Sequence, residues 1–173
     1  MNQTNRFLFA LSLAAAMLSP LAALAEPSAV YLVRHGEKET TGKDPELTAQ
    51  GKERARNIAT ILQKAGIRNV FSSPYARTKQ TADPLAKGSG VEVQIYDAGK
   101  PALLVEKVKA LNGPVLVVGH SNTLPELVRL FGGAPGTDIA DNEYDRVYQL
   151  TRGADGAIAT VLLTSIPATG PAQ

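Results

Sequence analysis

The sequence predicts an α/β fold, a three-layer α/β/α sandwich with a mostly parallel central sheet, on three observations. Short β-rich runs alternate with segments of helical periodicity through most of the chain. Tyr31-Leu32-Val33 and Val115-Leu116-Val117-Val118 are continuous apolar runs, as strands buried on both faces require. The last two β-rich runs are joined by Arg152-Gly153-Ala154-Asp155-Gly156, a connection suited to a hairpin at one side of the sheet.

Taken in order, the first 25 residues read as a leader and not as fold. A polar start with Arg6 precedes the apolar run Phe7 to Leu18, Ser19-Pro20 breaks it, and Ala23-Leu24-Ala25 offers small residues at both positions a signal peptidase inspects. Cleavage before Glu26 leaves residues 26–173 as one domain, periplasmic or secreted, with no stable membrane insertion; the alternative is an uncleaved anchor. Strands are predicted at Ala29 to Val33, Asn69 to Ser72, Val91 to Tyr96, Val115 to Gly119, Val147 to Thr151 and Ala157 to Thr164. Thr48 can cap a helix running to about Ala65, with Ala55, Ile58, Ala59 and Leu62 at helical spacing and Gly66 as the stop. Further helices fit Tyr75 to Ala86, Ala102 to Leu111, and a stretch from near Thr123 that ends before Gly132-Gly133. Pro167 to Gln173 reads as a frayed tail.

Composition narrows the function. The 173 residues suit a single domain, and 18 basic against 16 acidic residues, scattered along the chain, form no basic block for nucleic acid. There is no Cys, which removes disulfides, zinc-thiolate sites and a Cys nucleophile, and leaves two His for catalysis or metal. Both follow a predicted buried strand: His35 in Arg34-His35-Gly36-Glu37 and His120 in Gly119-His120-Ser121-Asn122-Thr123. Ligands of open α/β sheets bind beyond the carboxyl ends of the strands, so this placement selects both imidazoles together. Arg34 adjoins one of them. Arg77 lies in Ser72-Ser73-Pro74-Tyr75-Ala76-Arg77-Thr78-Lys79-Gln80-Thr81-Ala82, in the first turn of a predicted helix. A guanidinium forks onto two phosphate oxygens, so this pairing of Arg and His points to a phosphate group.

Arg34-His35-Gly36-Glu37, Leu47-Thr48-Ala49-Gln50-Gly51, Ser72-Ser73-Pro74 with Arg77 and Gln80-Thr81-Ala82, and Gly119-His120-Ser121 together resemble the histidine phosphatase superfamily, also called phosphoglycerate-mutase-like. The resemblance implies a phosphatase that needs no metal and no cofactor. His35 would accept the phosphoryl group of a small phosphorylated substrate, and Arg34, Arg77 and His120 would bind phosphate. Gly36 would let the backbone turn tightly beside the phosphate, Glu37 would lie near it, and Ser121 and Asn122 would either donate to phosphate or cap the next helix. Two guanidiniums beside His35 should hold its pKa below the ordinary value of about 6.5.

Relatives often carry a carboxylic acid that protonates the leaving group. The interval between Arg77 and His120 offers Asp83, Glu92, Asp97 and Glu106; Asp97, just after a strand, is the best placed, with a loop or capping role as its alternative. Glu37 and Glu126 lie outside that interval. A phosphoglycerate-mutase-like phosphotransferase and a non-catalytic phosphate-binding module are the alternative functions. No oligomeric partner is specified.

Overall fold

The computed structural model describes residues 26–169; the expected leader, residues 1–25, lies outside them. At the middle of the sheet, β1 (Val30–Arg34) pairs in parallel with β4 (Val115–Gly119), with Val30 opposite Val115 and Arg34 opposite Gly119. Parallel β2 (Asn69–Ser72) and β3 (Val93–Ile95) extend the sheet beyond β4. On the other side of β1, β5 (Arg146–Arg152) and β6 (Ile158–Thr164) run antiparallel, which gives the order β3-β2-β4-β1-β5-β6. The expected hairpin thus forms one edge of a mostly parallel sheet.

Successive strand side chains point to opposite faces, and the apolar runs of β1 and β4 use both. Val30, Leu32, Val115 and Val117 pack in one cluster with α3 (Pro101–Lys109) and α4 (Leu124–Leu130), through Leu104, Val108, Leu124 and Leu127. Tyr31, Val33, Leu116 and Val118 pack on the other face with Ile58, Leu62, Ala82 and Leu85 of α1 (Ala49–Leu62) and α2 (Ala76–Ser89). These are the three layers. Truncating a fully buried member such as Leu32 to Ala should cost about 2–5 kcal/mol.

Thr48 caps α1 as expected, its hydroxyl accepting from the Gly51 amide at 3.1 Å, but the helix stops at Leu62 and a turn carries the chain to Gly66 at φ +67°. The α2 helix passes Pro84 and ends only at the left-handed Gly90. Leu85 and Ala86 are buried on the sheet beyond the proline, and that packing outweighs the hydrogen bond Pro84 cannot donate. Strand β3 shrinks to three residues, and α3 starts at Pro101, where a missing amide proton is harmless. The first part of the expected tail departs from expectation as well, its residues 170–173 lying outside the described ones. Ser165 donates its amide to Asp145 at 2.8 Å and Thr169 donates to the Asp145 carboxylate at 2.8 Å, so residues 165–169 are tied down and not frayed.

Candidate active site

The helices after β1 and β4 lie on opposite faces of the sheet, so the chain parts between these two neighbouring strands and opens a crevice at their carboxyl ends. A cleft of about 420 Å³ occupies that position, lined by Arg34, His35, Lys38, Tyr75, Arg77, Ala98, His120, Ser121, Asn122 and Thr123. Four residues read from the sequence as the phosphate site therefore meet in one place: Arg34, His35, Arg77 and His120.

The backbone fixes His35. Its amide donates to Gly119 O at 3.0 Å, continuing the β1–β4 ladder by one bond, and its Nδ1 lies 2.7 Å from Gly36 O. A carbonyl can only accept, so Nδ1 carries the proton and Nε2 keeps its lone pair. The Gly36 amide is in turn spent on Thr81 Oγ1 at 3.0 Å. Burial is the main force that pushes the His35 pKa down to about 3; the Gly36 bond opposes it, and His120, Arg34 and Arg77 add to it through their charges. The direction matches the sequence expectation, while the leading cause is desolvation and not the guanidiniums.

His120 sits with its ring 5.4 Å from that of His35, edge to face, and its Nε2 lies 2.9 Å from Ser73 Oγ. Ser73 Oγ lies 2.9 Å from Thr78 Oγ1, all three groups being buried. Thr78 spends its proton on the Ser73 or Tyr75 carbonyl, at 3.0 and 2.9 Å, so the Ser73 hydroxyl bridges Thr78 Oγ1 and His120 Nε2, and an Nδ1–H donor for an anion requires Ser73 to donate to Nε2. Burial, then Arg77 and Arg34, lower the His120 pKa to about 4, so both rings are neutral at neutral pH.

Each arginine is stacked on a tyrosine. The Arg34 guanidinium lies 4.0 Å from the Tyr144 ring centre and donates through Nη1 to Ala140 O at 2.8 Å and Glu143 O at 2.7 Å. Arg77 lies 4.5 Å from the Tyr75 ring centre, with Asp44 at 3.8 Å as its ion-pair partner. Among the described residues, two buried side-chain polar atoms lack a hydrogen-bond partner, and they are Nε of Arg34 and Nε of Arg77. An unsatisfied buried donor is costly in an isolated protein. Two in one cleft are the signature of a receptor for an anion with several oxygens.

The remaining sequence candidates fare differently. Ser121 and Asn122 line the cleft, and neither side chain hydrogen-bonds to a described residue; the helix-side contact comes instead from Thr123 Oγ1, which accepts from the His120 amide at 3.1 Å. Gly36 corrects the expectation of a tight turn, since its φ is not positive. A side chain there would come within 2.7 Å of Gly51 O, and one at Gly51 within 2.1 Å of Glu37 O, so the two glycines let the loop that carries His35 touch the start of α1. With its amide on Thr81 and its carbonyl on His35, Gly36 holds the His35 loop and its amide is already taken. Glu37 is corrected too: Arg54 Nη2 and Nε and Gln50 Nε2 occupy its carboxylate, at 2.6, 3.0 and 2.9 Å. Burial would raise its pKa, but those bonds outweigh burial and hold it below the usual range. Asp97 has a loop role, its exposed carboxylate accepting from the Gly99 amide at 2.9 Å with Lys100 beside it at 3.7 Å.

Sequence reasoning gave no role to Tyr75, Tyr144 or Asp44, nor to Ser73, Thr78 and Thr81 as supports. Asp44 reaches across 32 positions to accept the Ala76 amide at 3.0 Å, doing for α2 what no neighbouring side chain does. Next to the cleft, and sharing Ser121 and Asn122 with it, lies a second cavity of about 700 Å³ lined also by Glu126, Arg129, Asp138 and Asp141. No three His, Cys, Asp or Glu side chains gather as a metal-ion site among the described residues.

Comparison with known proteins bears on the fold and on the first part of the chain. Residues 30–98 match the sequence profile of the Histidine phosphatase superfamily (branch 1). Over 104 residues the chain is 34% identical to the Escherichia coli protein named Probable phosphoglycerate mutase GpmB, a match that covers 56% of this chain and 44% of the relative. The chain thus spans less than half the length of that curated relative. In fold it resembles the protein histidine phosphatase SixA, solved with tungstate, at TM-score 0.60 and 22% identity over 79% of this chain and 96% of SixA. It also resembles a mycobacterial glucosyl-3-phosphoglycerate phosphatase, at TM-score 0.60 and 15% identity over 80% of this chain and 98% of the other.

Proposed function

From a chain whose residues 30–98 match the sequence profile of the Histidine phosphatase superfamily, we propose a metal-independent phosphatase that acts on a small phosphorylated substrate through a phosphohistidine on His35. The observation that carries the reading is the convergence of two tyrosine-stacked guanidiniums, each with an unpartnered buried Nε, on an imidazole whose Nε2 is free.

The chemistry follows from those groups. Arg34, Arg77 and His120 bind the phosphoryl oxygens and strengthen their hold as charge spreads over them in the transition state. Neutral His35 attacks phosphorus through Nε2; the bond from phosphorus to the leaving oxygen breaks, and that oxygen takes a proton from solvent or from an acid in the neighbouring cavity. Water then attacks the phosphohistidine, releasing inorganic phosphate and returning Nε2 to its neutral state. The low His35 pKa keeps the nucleophile unprotonated across the physiological range. A non-catalytic anion receptor could use the same arginines, but it would gain nothing from a ring whose tautomer is fixed to expose Nε2.

The leader read in residues 1–25 would place this activity in the periplasm or outside the cell, with a mature N-terminus at Glu26 as its check. The central test is a rapid quench of the chain with isotope-labelled p-nitrophenyl phosphate. Label should appear on His35 as an acid-labile, base-stable adduct, and His35→Ala should lose both the adduct and turnover. Turnover retained in His35→Ala would overturn the covalent mechanism.

A further inference from the structure

Beneath the cleft lies a charged group that binds no substrate. Arg54 on α1 has no exposed surface, and its guanidinium splits its donors between two segments. Nε and Nη2 grip Glu37, two residues beyond the nucleophile, and Nη1 donates to Ser165 Oγ at 2.9 Å. Ser165, equally buried, donates its hydroxyl to Asp145 O at 3.2 Å. Thr169 donates its amide to the Asp145 carboxylate and accepts from the Tyr144 amide, each at 2.8 Å. Tyr144 is the residue whose ring covers Arg34, and that ring also lies 6.0 Å from the ring of His35.

Removing the Arg54 charge completely from water, onto a half-buried Glu37, carries a desolvation cost, and an apolar residue of similar volume commonly serves a core as well or better. The pair therefore needs a reason beyond packing. Its connections supply one, because they join the loop that fixes Nε2 of His35 to the segment that seats the aromatic ring on Arg34. We propose that Arg54 is a positioning residue that sets the nucleophile and the phosphate-binding arginine relative to each other, through Glu37 on one side and the Ser165–Thr169 segment on the other. The proposal rests on the phosphatase reading for its kinetic consequences, but its geometric content can be read without turnover.

Arg54→Met in the full chain breaks both connections and leaves the Glu37 carboxylate unpaired. The groups that face His35 are Arg34, Arg77, His120 and Tyr144, with Glu37 and Lys38 on its own loop, so an uncompensated Glu37 is the one new charge. With only two His in the chain, both imidazole titrations can be followed by NMR. In a folded Arg54→Met variant the His35 midpoint should rise, and kcat on p-nitrophenyl phosphate should fall by up to about a hundredfold, as for a small misplacement of reacting groups. Glu37→Gln combined with Arg54→Met should return the midpoint and leave kcat low, and Arg54→Lys should retain part of both. Thr169→Val removes the acceptor for the Tyr144 amide without a charge change; it should lower kcat by roughly tenfold or less and leave the His35 midpoint in place. It decides the matter if Arg54→Met does not fold. A folded Arg54→Met with wild-type kcat and wild-type His35 titration, or Thr169→Val with wild-type kcat, would overturn the proposal. If the wild-type chain hydrolyses no phosphate ester, the phosphatase reading fails, while the His35 ring chemical shifts in the folded charge-balanced Glu37→Gln/Arg54→Met variant, changed if Arg54 positions the ring and unchanged if it does not, still decide the geometric proposal.

Discussion

Arg34 and Arg77 reach the same cleft from two sides and are held in opposite ways. Arg34, at the end of the central strand and only 5% exposed, is fixed by two backbone carbonyls and the Tyr144 ring. Arg77 sits in the first turn of α2, stacked on the half-exposed Tyr75, with the exposed Asp44 as its ion-pair partner. An ion pair at 3.8 Å with an exposed carboxylate holds a guanidinium weakly, whereas two backbone carbonyls within 2.8 Å restrict its orientation. The difference teaches a division of labour. In the proposed reaction the β1 side would be preorganised for the transition state, and the α2 side would be the one free to adjust as substrate enters.

The comparison breaks most readily by removing each arginine in turn. Arg34→Ala should lower kcat on p-nitrophenyl phosphate by on the order of a hundredfold or more, the loss of a preorganised donor. Arg77→Ala should cost less in kcat and show more of its loss in KM, since a mobile donor contributes alike to ground state and transition state. Steady-state kinetics of the two variants read this directly. Equal losses confined to kcat would show that Arg77 is as firmly placed as Arg34 and would end the distinction.

Acid sharpens the comparison next, because the buried side places two imidazoles between these cations. Folded His35 and His120 titrate near 3 and 4, against about 6.5 in an unfolded chain. Between those values the unfolded state binds more protons, so stability rises with pH. The contribution is fully present above about pH 6.5 and is lost as pH falls towards 4 and 3. On moving from pH 6.5 to pH 5 each imidazole should remove on the order of 2 kcal/mol. Urea unfolding at the two pH values measures this, and His120→Asn should reduce the slope. A stability unchanged down to pH 5 would mean that the rings are not held neutral.

How much of this was legible in the sequence depends on whether the signal is local. The apolar runs of β1 and β4, the Thr48 cap and the hairpin turn announce themselves within a few residues, and the fold follows from them. That Arg34, His35, Arg77 and His120 share one cleft is legible because each follows a predicted strand or opens a predicted helix. What stayed hidden comes from contacts across long stretches of chain: Asp44 on Ala76, Tyr144 on Arg34, Arg54 on Ser165. Gly36 and Glu37 were assigned to substrate because of their neighbour, and only the packing of α1 reveals that Gly51 and Arg54 claim them.

The smallest expected effect concerns the leaving-group acid and tests whether either side of the cleft supplies one. An alkoxide leaves poorly without a proton, whereas p-nitrophenolate needs little help, so the ratio of the two rates reports on acid catalysis. Asp97, the carboxylate that the sequence favours, is 61% exposed and accepts from the Gly99 amide as a loop residue does. Asp97→Asn should therefore leave both rates within about twofold of wild type, as an exposed substitution worth less than about 0.5 kcal/mol would. The carboxylates that do face ligand space are Glu126, Asp138 and Asp141, in the cavity that shares Ser121 and Asn122 with the cleft. If one of them is the acid, replacing it by the amide should slow an alkyl phosphate by roughly a hundredfold while sparing p-nitrophenyl phosphate. If none is, the wild-type chain should already favour activated leaving groups and the three amide variants should not change that preference. A selective loss on alkyl phosphates in Asp97→Asn would contradict the loop role and require that carboxylate to swing into the cleft during turnover.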